Sequence, residues 1–99
     1  MSESKPITIG AIEPFAPGPE MKEEQPAVRV LEESAQLLEA YRDWDEGGET
    51  EYLRLRLFDK SADVIQATVN LLASMGALDY EVNAAIKRCR ERNRAKDRY

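Results

Sequence analysis

The stretch Glu49–Met75, ETEYLRLRLFDKSADVIQATVNLLASM, decides the fold. It holds no proline or glycine, so it can run as one helix of about 39 Å at 1.5 Å per residue. One piece resists that reading: Tyr52-Leu53-Arg54-Leu55-Arg56-Leu57 alternates with the period of two that marks a strand. A lone strand with no partner run elsewhere would leave its backbone groups unpaired. The whole stretch is therefore predicted to be helical, with Gly76 as its stop.

Working outward, Asp79 is a good N-cap for a further helix whose Val82, Ala85, Ile86 and Cys89 form an apolar stripe expected to pack into a core. Upstream, Pro26 to Glu46 carries Val28, Leu31, Ala35, Leu38 and then Tyr41 or Arg42 at three- and four-residue steps, and Gly47 and Gly48 end it. All five prolines fall in the first 26 residues, and each fixes φ and removes a backbone donor. Residues 1–25 therefore read as an extended arm, with Ile7, Ile9, Ile12 and Phe15 able to lie on a core but not to make one. The expected fold is all-α: a bundle of about three helices over residues 26–99, preceded by the arm. Three helices in about 75 residues leave little core, and a symmetric dimer or higher oligomer, a tetramer included, is the expected remedy.

Composition narrows the function classes. The 99 residues carry 14 basic and 19 acidic side chains, a net charge of −5, which argues against nucleic acid as a partner. No run reaches the eighteen or so apolar residues a membrane span needs, and no signal-peptide pattern opens the chain; a cytoplasmic, membrane-free protein is expected. With no histidine and the single cysteine Cys89, chemistry falls to carboxylates, amides and cations.

Polar residues interrupt the helices in order. Lys60, Asp63, Gln66 (or Ala67) and Asn70 form one narrow stripe on an otherwise apolar helix, and Arg29, Glu32, Glu33, Gln36, Glu39 and Asp43 form another at helical spacing. Two such stripes either face water or face each other across a polar cleft. The carboxylates Glu32, Glu33 and Glu39 repel one another unless a cation or water intervenes, and hard oxygen ligands of this kind suit Mg²⁺.

Leu31-Glu32-Glu33-Ser34-Ala35-Gln36-Leu37-Leu38-Glu39-Ala40, then Ser61-Ala62-Asp63-Val64-Ile65-Gln66-Ala67, then Arg92-Asn93-Arg94, together resemble the MazG-like branch of the all-α nucleoside triphosphate pyrophosphohydrolases, over about residues 28–99. The resemblance implies a Glu-Glu-x-x-Glu motif on one helix and Glu-x-x-Asp on the next. These would hold Mg²⁺ (or Mn²⁺) while a nucleoside triphosphate is split into monophosphate and pyrophosphate. Carried onto this chain, Glu33, Gln36 and Asp63 are the metal positions, Glu32 and Glu39 orient or deprotonate the attacking water, and Lys60, Asn70, Arg92, Asn93, Arg94 and Lys96 contact the nucleotide.

Two of the four core positions depart from the pattern: Gln36 and Lys60 stand where glutamates are expected. An amide oxygen still ligates a hard cation without charge, whereas an ammonium repels Mg²⁺. Lys60 is alternatively placed to sit where the metal would, paired with Glu33 and Asp63. Three readings stay open: a hydrolase with a reduced metal site, a degenerate relative that binds nucleotide or a protein without turnover, and an unrelated helical interaction module.

The tail from Lys87 to Tyr99 has seven basic residues against Glu91 and Asp97. It either closes over a triphosphate or pairs with acidic helix 1. Asp97 departs from the glycine usual there in the family. Cys89 is expected in the core. Tyr41 and Trp44 either stack on a base or pack in the core or an interface, and Asn70 either binds base or sugar or bridges helices.

Overall fold

A computed structural model describes residues 5–15 and 24–96. The fold is all-α: α1 Gln25–Glu46, α2 Glu51–Ser74 and α3 Asp79–Ala95, with no strand among the described residues. The alternating piece Tyr52–Leu57 is the start of α2, entered through Thr50, whose hydroxyl accepts from the Leu53 N–H. Pro26 sits in the first turn of α1, where its missing N–H costs nothing. Gly48 takes φ +83° in the turn that follows α1, a conformation glycine reaches without a Cβ clash. Gly76 does the same after α2 at φ +75°. The start of α3 differs by one residue from expectation. Leu78, extended at φ −98° and ψ 154°, is the N-cap, and its N–H donates to Glu81 Oε1 at 2.9 Å. No helix among the described residues is long and apolar enough to cross a membrane.

The chain divides into two compact units, 12–75 and the combination of 1–11 with 76–99. In the first, α1 and α2 pack as an antiparallel hairpin. The face of α1 turned to α2 runs through Pro26, Val30, Glu33, Ser34, Leu37, Ala40 and Trp44, all buried or half-buried. Its counterpart on α2 is Leu53, Leu57, Lys60, Val64, Ala67 and Leu71. Ala40 (0% exposed) and Ala67 (4%) are the buried small side chains of this seam, where a missing side chain lets two backbones approach. Hydroxyls on the seam satisfy themselves: Ser34 donates to the Val30 carbonyl, Ser61 to Leu57 and Thr68 to Val64, at 2.8–2.9 Å.

This face is not the stripe that sequence periodicity picks out. Val28, Leu31, Ala35 and Leu38 are all exposed, Leu31 at 72%, so the expected core of α1 is its outer surface. The two stripes lie on nearly opposite sides of α1 at the same period, and periodicity alone does not say which one a partner helix takes. In the second unit, Cys89 and Ile86 are exposed as well. Of the α3 stripe predicted to be core, Ala85, Ile86 and Cys89 are exposed and Val82 is half-buried. Ala40 tolerates no added volume, because the neighbouring helix fills the space around it. Ala40→Leu is expected to lower stability by about 1–3 kcal/mol in urea titration, while Ala35→Leu, on the exposed side, stays within about 0.5 kcal/mol.

Candidate functional site

Two side-chain contacts cross the hairpin. Lys60 Nζ donates to Gln36 Oε1 at 2.9 Å, and Arg56 Nη1 donates to Asp43 Oδ2 at 2.9 Å in an ion pair. They fix an antiparallel register in which each step back along α1 is a step forward along α2. One turn from Gln36 and Lys60, Glu33 therefore lies opposite Asp63. Of the four positions that the resemblance marks, Gln36 and Lys60 bond to each other, Glu33 is half-buried one turn away, and Asp63 is exposed.

The electrostatics of this quartet differ from a metal cage. Glu33 has a side chain only 15% exposed and lies 3.8 Å from Arg29, one turn back on its own helix. Among the described residues no ion pair joins Lys60 to Glu33 or Asp63, so the amide, not a carboxylate, receives the ammonium. Gln36, expected as a ligand, spends its carbonyl oxygen on Lys60. Among the described residues no group of three or more acidic or thiol side chains is arranged to hold a metal ion. Mg²⁺ demands near-octahedral oxygens at 2.0–2.1 Å. An ammonium about 4 Å from the ion would oppose it by several kcal/mol even at an effective dielectric of 20. These donors do not fit a resident Mg²⁺.

The other expected site residues separate into three places. Glu32 and Glu39 are exposed on α1, seven residues apart and so on one side of the helix, beside the seam and not on it. Asn70 and Gln66 are half-buried on α2 and hold the arm: Gln66 Nε2 donates to the Glu13 carbonyl at 3.0 Å and to Asn70 Oδ1 at 2.9 Å, and Asn70 Oδ1 accepts from the Phe15 N–H at 2.9 Å. Arg92, Asn93, Arg94 and Lys96 belong to the other unit. There Arg92 and Arg94 occupy the last turn of α3, where cations offset the helix dipole, and Asn93 Nδ2 donates to Cys89 Sγ at 3.3 Å. Asp97 lies outside the described residues.

Trp44 is half-buried towards α2 with its indole N–H buried and unbonded among the described residues, and Tyr41 lies against it at a ring separation of 5.9 Å. Sequence reasoning missed two features. The Asp43–Arg56 pair was masked by the strand-like alternation around Arg56. The grip on the arm had a signal in Pro14, which keeps its neighbours extended and leaves their amide groups in need of partners.

Restoring both carboxylates tests the placement of the quartet. Gln36→Glu combined with Lys60→Glu should raise Mg²⁺ affinity more than tenfold in calorimetry over the parent protein. No gain would remove these positions from the site. No family model, curated protein or solved structure matches the chain.

Proposed function

We propose that the α1–α2 hairpin binds a nucleoside triphosphate, with the Lys60 ammonium supplying the positive charge that the family resemblance assigns to Mg²⁺, and that it does so without efficient release of pyrophosphate. The observation that carries this reading is the Lys60–Gln36 hydrogen bond at the two positions where the family pattern has glutamates. Lysine is a compact point charge well suited to phosphate oxygens. A neutral amide partner holds it less firmly than a carboxylate would, so an incoming phosphate can take it over.

An active pyrophosphohydrolase is the second reading, favoured by the survival of Glu33 and Asp63 opposite each other. Mg²⁺ arriving with the nucleotide needs only one or two protein carboxylates beside the phosphates. Thermal stabilisation by a panel of ribo- and deoxyribonucleoside triphosphates, with and without EDTA, tests the first reading. Stabilisation that survives EDTA and is lost in Lys60→Met is expected. Metal-dependent pyrophosphate release that Glu33→Ala abolishes would establish the second reading in its place.

The outer face of α2 supports a second copy of this chain as protein partner. Leu55, Phe58, Ala62, Ile65, Val69 and Leu72 follow an unbroken three-four spacing, the seam of a coiled coil, and Leu55, Phe58 and Ile65 are exposed large apolar side chains. In an antiparallel pair about a two-fold axis, Leu55 meets Leu72, Phe58 meets Val69, and Ala62 meets Ile65, so small faces large. Counting on the order of 100 Å² for each half-exposed side chain of this size, Leu55, Phe58 and Ile65 offer roughly 300 Å² per chain as the centre of such a contact. Light scattering should give twice the 11.2 kDa chain mass for the parent and a monomer for Phe58→Asp with Ile65→Asp. A parent that stays monomeric at high concentration would remove the partner.

A further inference from the structure

The segment Ile12–Phe15 lies in the same unit as α1 and α2 and is held to α2 by its backbone. Glu13 offers its carbonyl to Gln66, and Phe15 offers its N–H to Asn70. Among the side chains Ile12 is half-buried, whereas Glu13 and Pro14 are exposed and Phe15 is 68% exposed. The hold is therefore two hydrogen bonds and one partly covered isoleucine, and the two bonds exchange readily with water.

The amide pair that makes this grip has a fixed polarity. The Gln66-to-Asn70 bond sets Gln66 with its NH₂ and Asn70 with its carbonyl oxygen towards the same edge, so the pair presents one donor beside one acceptor. A peptide edge satisfies that pair, and so does the edge of a nucleobase; asparagine and glutamine amides are matched to base edges that offer a donor next to an acceptor. Gln66 and Asn70 continue the stripe of Lys60 and Asp63. At 1.5 Å per residue they stand about 9 and 15 Å along the helix from Lys60.

We propose that Gln66 and Asn70 form the base subsite of the nucleotide site, and that the Ile12–Phe15 strap occupies it in the free protein as a competing occupant. This rests on the reading that Lys60 takes the phosphates. Binding the base and releasing the strap are then one event, and the affinity for nucleotide is reduced by the fraction of time the strap is closed. Inorganic tripolyphosphate, which has no base, engages Lys60 without disturbing the strap.

Phe15→Pro tests this in the full chain, because proline removes the donor N–H without altering α2, and Phe15→Ala, which keeps the N–H, is its control. Calorimetry with deoxyribonucleoside triphosphates and with tripolyphosphate should show nucleotide affinity rising about threefold to tenfold in Phe15→Pro and unchanged in Phe15→Ala, with tripolyphosphate affinity equal in all three proteins. Amide exchange at Phe15 in the parent should quicken when nucleotide binds and stay slow with tripolyphosphate. Equal gains for both ligands in Phe15→Pro would overturn the base subsite, as would nucleotide binding that leaves Phe15 protected. Failure of every protein to bind either ligand would instead overturn the phosphate reading on which the subsite rests.

Discussion

Everything described in the hairpin depends on the close approach of α1 and α2 at Ala40 and Ala67. These two side chains reach near-complete burial, and the large apolar residues around them are only partly covered. Because the seam is narrow, polar residues at its margin cross it: Lys60 reaches Gln36 and Arg56 reaches Asp43. A wider seam filled by leucines would have held these groups apart, and neither the quartet nor its register would exist. The same narrowness keeps the crossing contacts close to water, so the Arg56–Asp43 ion pair is worth at most about 1 kcal/mol. Their role is to set position more than to add stability.

Within the quartet, the residues at 36 and 60 share a single charge. An amide at 36 facing a glutamate at 60 would leave a carboxylate without a cation. A lysine at 60 facing a glutamate at 36 would make an ion pair. The pair actually present is neutral on one side and cationic on the other. It leaves a net positive group at a seam whose neighbours, Glu33 and Asp63, are acidic. Coulomb attraction among unlike charges and the hydrogen bond to Gln36 both favour keeping Lys60 there.

How much of this was legible in the sequence depends on the kind of signal. Helix limits were, because proline, paired glycines and Thr50 are local devices whose physics does not need the rest of the chain. The strand-like run at Tyr52–Leu57 was settled by asking where its backbone groups would bond, and it is helical. The buried face of α1 was not legible: Val28, Leu31, Ala35 and Leu38 make the more apolar stripe, yet Val30, Ser34, Leu37 and Ala40 turn to α2. Polar stripes on both helices were visible, and of the two alternatives, water or each other, Gln36 reaches Lys60 and Asp43 reaches the unforeseen Arg56, while Glu32, Glu39 and Asp63 are exposed. The partner of Asn70 was beyond reach, since a backbone amide 55 positions away leaves no mark on the local pattern. Cys89 shows the same limit: an apolar stripe on α3 says which residues share a side, and not whether anything covers it.

The two seams of α2 have an energetic consequence of their own. The inner seam includes Lys60, whereas the outer one, Leu55 to Leu72, is apolar at every position. The hairpin has thus hidden the seam that contains an ammonium and left Leu55, Phe58, Ala62 and Ile65 of the apolar one exposed, with Val69 and Leu72 half-buried. For an isolated chain this is frustration: rotating α2 by about half a turn would trade a poor contact for a better one. The Arg56–Asp43 and Lys60–Gln36 crossings oppose that rotation, because turning the helix would pull both cations away from their acceptors. Fold specificity in this protein is therefore carried by its polar side chains, and hydrophobicity alone would choose a different packing.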